Sequence, residues 1–395
     1  IRAPIYVPRR PSGAKRLLHH GSFLLSAAIP ILSTALTWRP DIVFAVAPSL
    51  LSASMAAAAA RLSGAASWLH VQDLEVDAAF GLGMLKKQAV TQKLMLGVER
   101  SIMGAFDRVS TISPQMMMSL QQKGLAQERL REFRNWIDTS VIAPGSRQTG
   151  IRSSLGLAPT DIVALYSGSM SNKQGLELII EAAGATRNSH PSLHFVLCGN
   201  GPMKPALLQM ASGLGNVHFL DLQSEDRFSE LLNTADIHLL PQKAQIADLV
   251  LPSKLAGMLS SGRPVVAMAA PATGIALEIE GAGLVVAPGD AQAFGSAVVA
   301  LAADEALRAR LGAVGRARAE QKWDRVSIVR SLEREFEALT QSPTTVTAPR
   351  PRQPAGPIRS IEQVATGSRR RPESASRPLA RQLRQQATGA RSAEE

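Results

Sequence analysis

Cysteine is nearly absent from the chain: Cys198 is the single one in 395 residues. No intramolecular disulfide can form, and the usage fits a reducing compartment. Histidine is scarce as well, and the seven present are scattered without metal-ligand spacing. No structural metal is expected. Aromatic residues make up only 4%, so the cores must be built from aliphatic side chains. The run between residues 23 and 38 is apolar but is interrupted by Ser26, Pro30, Ser33 and Thr34. It falls short of the ~20 apolar residues that a membrane span needs and reads as a buried or surface-lying helix, with peripheral membrane contact as the alternative.

What is present points to a folded, multidomain protein. Hydrophobic residues are 45% of the chain and charged residues 19%, too apolar for wholesale disorder, and the length allows two or three domains at ~100–200 residues each. The net charge of +11 would suggest a nucleic-acid partner if it covered a folded face. It does not, because residues 341–395 carry 10 Arg, no Lys and 4 Glu, a net of +6. Residues 342–395, rich in Pro, Arg, Ser, Ala, Thr and Gln, have no core-forming pattern and are expected to be a disordered basic tail. No nucleic-acid partner is expected.

Apolar runs of strand length alternate with helical patterns. Strands are expected at 42–46, 68–71, 108–112 and 130–136, with helices at 51–62, 88–103 and 114–123. After a Pro-, Gly-, Ser- and Thr-rich linker over 139–150, further strands are expected at 162–166, 193–198, 217–220, 237–240, 264–268 and 284–286. Helices fall between them, and 290–302, 304–321 and 325–339 close the series. Near-continuous apolar strands separated by helices mean parallel sheets covered on both faces. The fold class is therefore α/β, with two domains: a first sheet about two strands short of complete, then a complete six-stranded doubly wound one.

Three turns could carry chemistry. Residues 166–177, Tyr-Ser-Gly-Ser-Met-Ser-Asn-Lys-Gln-Gly-Leu-Glu, run from a strand through two glycines and Lys173 into a helix. Glycines let backbone amides approach an anion, the helix start adds its positive end, and Lys173 would supply a countercharge for a diphosphate. An ordinary βα turn is the competing reading. Cys198-Gly199-Asn200-Gly201-Pro202 ends the next strand in the same way. Leu251-Pro252-Ser253-Lys254-Leu255 opens a later helix, with Pro252 at a first-turn position and Ser253 beside it. All three turns belong to the carboxyl edge of one parallel sheet, where doubly wound folds bind ligands.

In order and spacing these stretches resemble the GT-B glycosyltransferases of family 4, most of all those of colanic-acid-type exopolysaccharide synthesis. Trp38-Arg39-Pro40-Asp41, His70-Val71-Gln72-Asp73-Leu74-Glu75, Ser110-Thr111-Ile112-Ser113, Asn135-Trp136-Ile137-Asp138 and residues 281–290 share in the resemblance, which covers residues 1–339. It implies two Rossmann-like domains facing a cleft: 1–145 on the acceptor side and incomplete, and 146–322 binding the nucleotide-sugar. A crossover helix would occupy 323–341. It further implies sugar transfer, with retention at the anomeric carbon, to a lipid-linked or oligosaccharide acceptor on the cytoplasmic membrane face, with an anionic membrane surface as partner and no cofactor beyond the donor.

Carried over by position, the resemblance makes Gly168, Lys173, Gly199, Gly201, Asp248, Ser253, Lys254 and Leu255 the donor site. It places 220–222 near the base. Asp73 and Lys173 become the catalytic pair, Asp73 as an acceptor or sugar contact or else a turn cap. His70 reads as a hydrogen-bonded strand-end histidine and Met116, Met117 and Met118 as packing. Two departures stand out. The family's Glu-x7-Glu pair corresponds to Leu249 and Gly257, and the arginine that follows the first-loop glycine is Ser169. The family's first strand and glycine-rich loop have no counterpart before Arg2, so the sequence is expected to be a fragment. A nucleotide-sugar epimerase and a non-catalytic assembly subunit remain as alternatives.

Overall fold

The structure is a computed structural model and describes residues 2–8, 13–47, 50–74, 89–242 and 251–341. Its described strands are all parallel and form two sheets. In the first, β1 (Ile42–Ala47), β2 (Ala66–Val71), β3 (Arg108–Thr111) and β4 (Leu130–Glu132) lie side by side in chain order. Helices α1 (Gly13–Thr37), α2 (Leu50–Ser63), α3 (Ala89–Met103) and α4 (Pro114–Gln122) alternate with them. Small residues let α1 and α2 approach closely: Ala27 and Ala35 on one, Ala53, Ala57 and Ala60 on the other, are all buried. Helix α4 starts where its sequence directs. Ser113 accepts the Met116 N–H, and Pro114 takes a first-turn position that needs no donor.

The second sheet has strands β5 (Ile162–Ser167), β6 (Leu193–Cys198), β7 (Val217–Leu220), β8 (Ile237–Leu240), β9 (Val265–Met268) and β10 (Gly283–Val286) in the spatial order β10-β9-β8-β5-β6-β7. Every residue of β8 and β9 is buried, as apolar strands covered on both faces must be. The helices are α5 (Gly150–Ser154), α6 (Glu177–Thr186), α7 (Lys204–Met210), α8 (Phe228–Thr234), α9 (Lys254–Ser260), α10 (Gly274–Ile279), α11 (Ala291–Ala303), α12 (Glu305–Lys322) and α13 (Arg325–Gln341). The order reverses between β5 and β8. Chains leaving those two strands diverge, which is the arrangement where doubly wound folds place ligands, at the carboxyl ends of the strands.

The two sheets share one apolar cluster: Leu74, Ile112 and Met116 from the first pack with Leu251, Leu255 and Ile275 from the second. Helix α13 lies on the first sheet, with Leu332, Phe336 and Leu339 against Trp68 and Phe44. A polar clamp reinforces the junction. The Arg134 guanidinium pairs with Glu132 and, at 2.7 Å, with Glu278, while sitting 5.1 Å over the Trp323 ring; Lys322 completes the set at 3.1 Å from Glu278.

The structure departs from the sequence expectations in several places. Helices α5 and α10 were not expected; each is six residues or fewer, too short to show a helical period. The run around Pro30 belongs to a longer helix that begins at Gly13, so its apolar window reaches Leu18–Thr37, 20 residues with mean hydropathy 1.3, most of them half-buried and few fully buried. By length and composition it could cross a membrane. Met116 is core, as expected, whereas Met118 is exposed. The Pro- and Gly-rich 139–150 segment is pinned: Arg316 donates to the carbonyls of Thr139 and Ile142, and Asn233 accepts the Gly145 N–H.

Candidate functional site

At the reversal point the loops after β5 and β6 are laced together. Gly168 N–H donates to Cys198 O at 2.9 Å, Met170 N–H to Asn200 O at 2.8 Å, and Met203 N–H to Met170 O at 3.0 Å. This contact explains two of the glycines. A Cβ on Gly199 would lie 1.9 Å from Gly168 O, and one on Gly201 would lie 2.5 Å from Met170 O. Their own amides are used internally, to Leu220 O and Asn200 Oδ1. Gly199 and Gly201 therefore let the two loops pack together, with their amides already paired inside the protein.

Beyond Gly168 the loop turns through a short 3-10 segment, Asn172–Gln174, which carries Lys173, and then through the left-handed Gly175 into α6. Helix α6 has no side-chain cap. Helices α7, α8 and α9 likewise lack one, whereas α4, α5, α10, α11 and α12 are each capped by a Ser, Thr or Asp side chain. The Leu178 and Ile179 amides of its first turn donate to the carbonyls of Gly175 and Leu176, so the start of α6 is closed by the backbone of its own loop. The Ser171 hydroxyl, buried beside this turn, has no hydrogen-bond partner.

Across the reversal point, α9 begins at Lys254. Its stem is partly exposed, but the amine runs inward: Nζ is buried, makes no hydrogen bond among the described residues, and stands 4.1 Å from the centroid of the Tyr166 ring. A Cβ at Gly168 would be 3.6 Å from that Nζ. Burial lowers the Lys254 amine from 10.5 to about 7. The Tyr166 phenol, pushed up by burial, stays protonated and donates to Ser169 O at 2.6 Å. Tyr166 opens the motif read from the sequence yet received no role there; the aromatic residue ahead of a Ser-Gly turn was the available signal.

The remaining expected residues separate. Ser253 is exposed, has helical backbone and does not cap α9. Leu255 is fully buried in the cluster that joins the sheets, so its part is positional. Asp248 lies outside the described residues. Asp221 pairs with Lys204 at 2.5 Å just after β7, a pairing that the sequence reading did not anticipate. At 257, where the family has its second glutamate, a side chain would press on Leu232 at 3.2 Å and Phe228 at 3.6 Å. That position packs α9 on α8.

On the first sheet, Asp73 is exposed two residues past β2, and the adjacent Leu74 packs into the cluster that holds Leu255. His70 is structural. Its Nδ1 meets Ser110 Oγ at 2.9 Å, its ring stacks on Phe44, and burial lowers it from 6.5 to about 4. It is neutral at physiological pH. The Cys198 thiol is pushed up by burial, which makes it a poor nucleophile.

Residues 1–136 match the domain family described as Glycosyl transferase 4-like domain, and residues 161–304 match Glycosyl transferases group 1. The chain is similar to the putative colanic acid biosynthesis glycosyl transferase WcaI of Escherichia coli. The two are 41% identical over 267 residues, which cover 66% of this chain and 65% of that one, so the chain spans just under two thirds of that relative's length. Two solved structures share the fold. Sucrose-phosphate synthase from Thermosynechococcus elongatus has a TM-score of 0.67 at 19% identity, covering 85% of this chain and 80% of that one. Anabaena HepE in complex with UDP has a TM-score of 0.65 at 19% identity, covering 82% and 89%.

Proposed function

We propose that this chain, which belongs to the family 4 glycosyltransferases of GT-B fold, transfers a sugar from a nucleotide-diphospho-sugar to a lipid-linked or oligosaccharide acceptor in exopolysaccharide assembly. The observation that carries the donor half is the buried Lys254 amine, without a hydrogen-bond partner among the described residues, beside the Gly168 turn at the point where the sheet order reverses between β5 and β8. HepE, a fold relative, is solved with UDP, which supports a nucleoside diphosphate as the leaving group. The acceptor half rests on the similarity to WcaI.

In the transfer, the acceptor hydroxyl oxygen bonds to the anomeric carbon as the bond from that carbon to the diphosphate oxygen breaks, its electron pair leaving with the phosphate. The hydroxyl proton passes to the departing phosphate oxygen, so no strong protein base is needed and the configuration is retained. What the chain must supply is position and stabilisation of the leaving charge. Lys173 and Lys254 supply positive charge, Gly168 lets the donor approach the loop, and Asp73 contacts acceptor or sugar from the first sheet.

Membrane association fits α1. Leu18, Leu25, Ile29 and Leu36 are all exposed, and at 100° per residue they fall in one narrow stripe along the helix, opposite or oblique to the buried Ala27 and Ala35. Lys15 is exposed at its start. Such a helix, basic at one end and apolar along one face, suits the interface of an anionic membrane on the cytoplasmic side.

The test is nucleoside diphosphate release from UDP- and GDP-sugars with and without a lipid acceptor fraction. Release only with acceptor supports the transferase; release independent of acceptor, or none from any donor, overturns it.

A further inference from the structure

A lysine amine closed off from water, with no hydrogen-bond acceptor and no carboxylate, is an expensive arrangement unless it gives up its proton or meets an anion. Among the described residues, Lys254 is in that arrangement. Its one polar contact is the face of Tyr166, which favours the charged form but far less than hydration would. The amine lies beside the Gly168 turn, opposite the loop that carries Lys173, and the Ser171 hydroxyl on that same loop is a second buried group without a partner. Two unsatisfied polar groups, one a donor only and the other able to donate, belong to the carboxyl edge of one sheet at its reversal point. The missing partner is therefore an acceptor-rich anion.

Resting on the donor-site reading above, we propose that Lys254 is a proton-coupled countercharge: the buried amine beside Tyr166 and the Gly168 turn takes up a proton when a nucleoside diphosphate binds there. The bound anion supplies the charge that the protein interior does not, and the ammonium then donates to a phosphate oxygen. This would also account for Ser169 standing in the place of the family's loop arginine, since the charge is delivered from α9 instead of from the loop.

The charged surroundings leave few other candidates. On β5 the facing group is the neutral Tyr166 phenol. The loop after β5 carries Lys173, and Asp248, ahead of α9, lies outside the described residues. Helix α9 has no second titratable side chain. After β6 and β7, Lys204 and Asp221 are already paired with each other. Burial alone lowers Lys254, to about 7, with no charged neighbour contributing.

Calorimetric titration of the full chain with UDP and GDP at about pH 8, in buffers of different ionisation enthalpy, reads the proton directly. At that pH the free nucleotide phosphates are ionised, and with the amine at about 7 the uptake is roughly 0.9 proton per bound nucleotide. Near pH 6 it falls close to zero. K254M removes the uptake and weakens binding on the order of tenfold or more, whereas K254R removes the uptake while keeping affinity. If K254R does not fold, the wild type and K254M decide. Binding by the wild type without proton uptake at about pH 8 overturns the proposal and leaves the donor site standing. Uptake that persists in K254M also overturns it, assigning the proton to the nucleotide or another side chain. If neither binds, ADP is titrated in the same way, and no binding of any of the three overturns the donor-site reading and this proposal together.

Discussion

Lys254 Nζ sits 4.1 Å from the centre of the Tyr166 ring, and this contact ties the first turn of α9 to the end of β5 across the point where the sheet reverses its order. The contact has a consequence for the fold as well as for ligand binding. Because the folded state lowers Lys254 to about 7 and the unfolded chain titrates near 10.4, the unfolded chain binds more protons between those values. Stability should therefore rise with pH from about 7 to about 10, by up to ~1.4 kcal/mol per pH unit for this group. Denaturant unfolding at several pH values checks this. K254M should be more stable than the wild type near pH 7 and should lack that slope; identical slopes in both proteins would contradict it.

The lacing of the two loops predicts a contrast among glycines. Gly199→Ala places a methyl 1.9 Å from Gly168 O at a φ of +150, so the loops must part, at a cost of roughly 2–5 kcal/mol from backbone strain and overpacking. Gly213→Ala, at φ +80 with open space around it, should cost only ~1–2 kcal/mol. Urea midpoints of the two variants decide this, and nucleotide binding should be lost in the first and kept in the second. Equal destabilisation would mean that the loop contact is not tight.

Removing Arg134 leaves the buried Glu278 with Lys322 alone. Arg134→Met should cost about 3–5 kcal/mol, and adding Glu278→Leu should recover part of it, since the stranded carboxylate and not the lost pair dominates the penalty. Unfolding of the two variants side by side provides the check. A double variant weaker than the single would show that the pair itself holds the junction.

The exposed stripe on α1 predicts lipid attachment. The Leu25→Ser, Ile29→Ser double variant should co-sediment less with anionic vesicles while its melting temperature changes little, because both residues are exposed. Unchanged sedimentation would move the attraction elsewhere, to the basic residues after 341 or to Lys15 and its neighbours.

Much of this architecture was legible beforehand because parallel strands buried on both faces leave near-continuous apolar runs. Residues 193–198, 217–220 and 237–240 are strands at the positions that their composition indicates. Helix α10 was missed: a six-residue helix capped by Thr273 offers less than two turns of periodicity. At the site, the glycines could be found from the sequence but their reason could not, because the carbonyl that excludes a Cβ at 199 belongs to a loop 31 residues earlier. Lys254 was visible as a helix-start lysine. That its amine turns inward onto Tyr166 is a property of the β5–α9 packing, which no local pattern encodes.

The central claim, a diphosphate-binding crevice at the carboxyl edge of the second sheet, is tested most directly by thermal unfolding of the full chain with UDP, GDP or ADP, alongside K173A. At a hundredfold excess over Kd, one of the three should stabilise the wild type by roughly 2.7 kcal/mol, and K173A should lose most of that shift by giving up a charge-assisted contact. No shift with any of the three, or the same shift in K173A and K254M as in the wild type, would contradict the account.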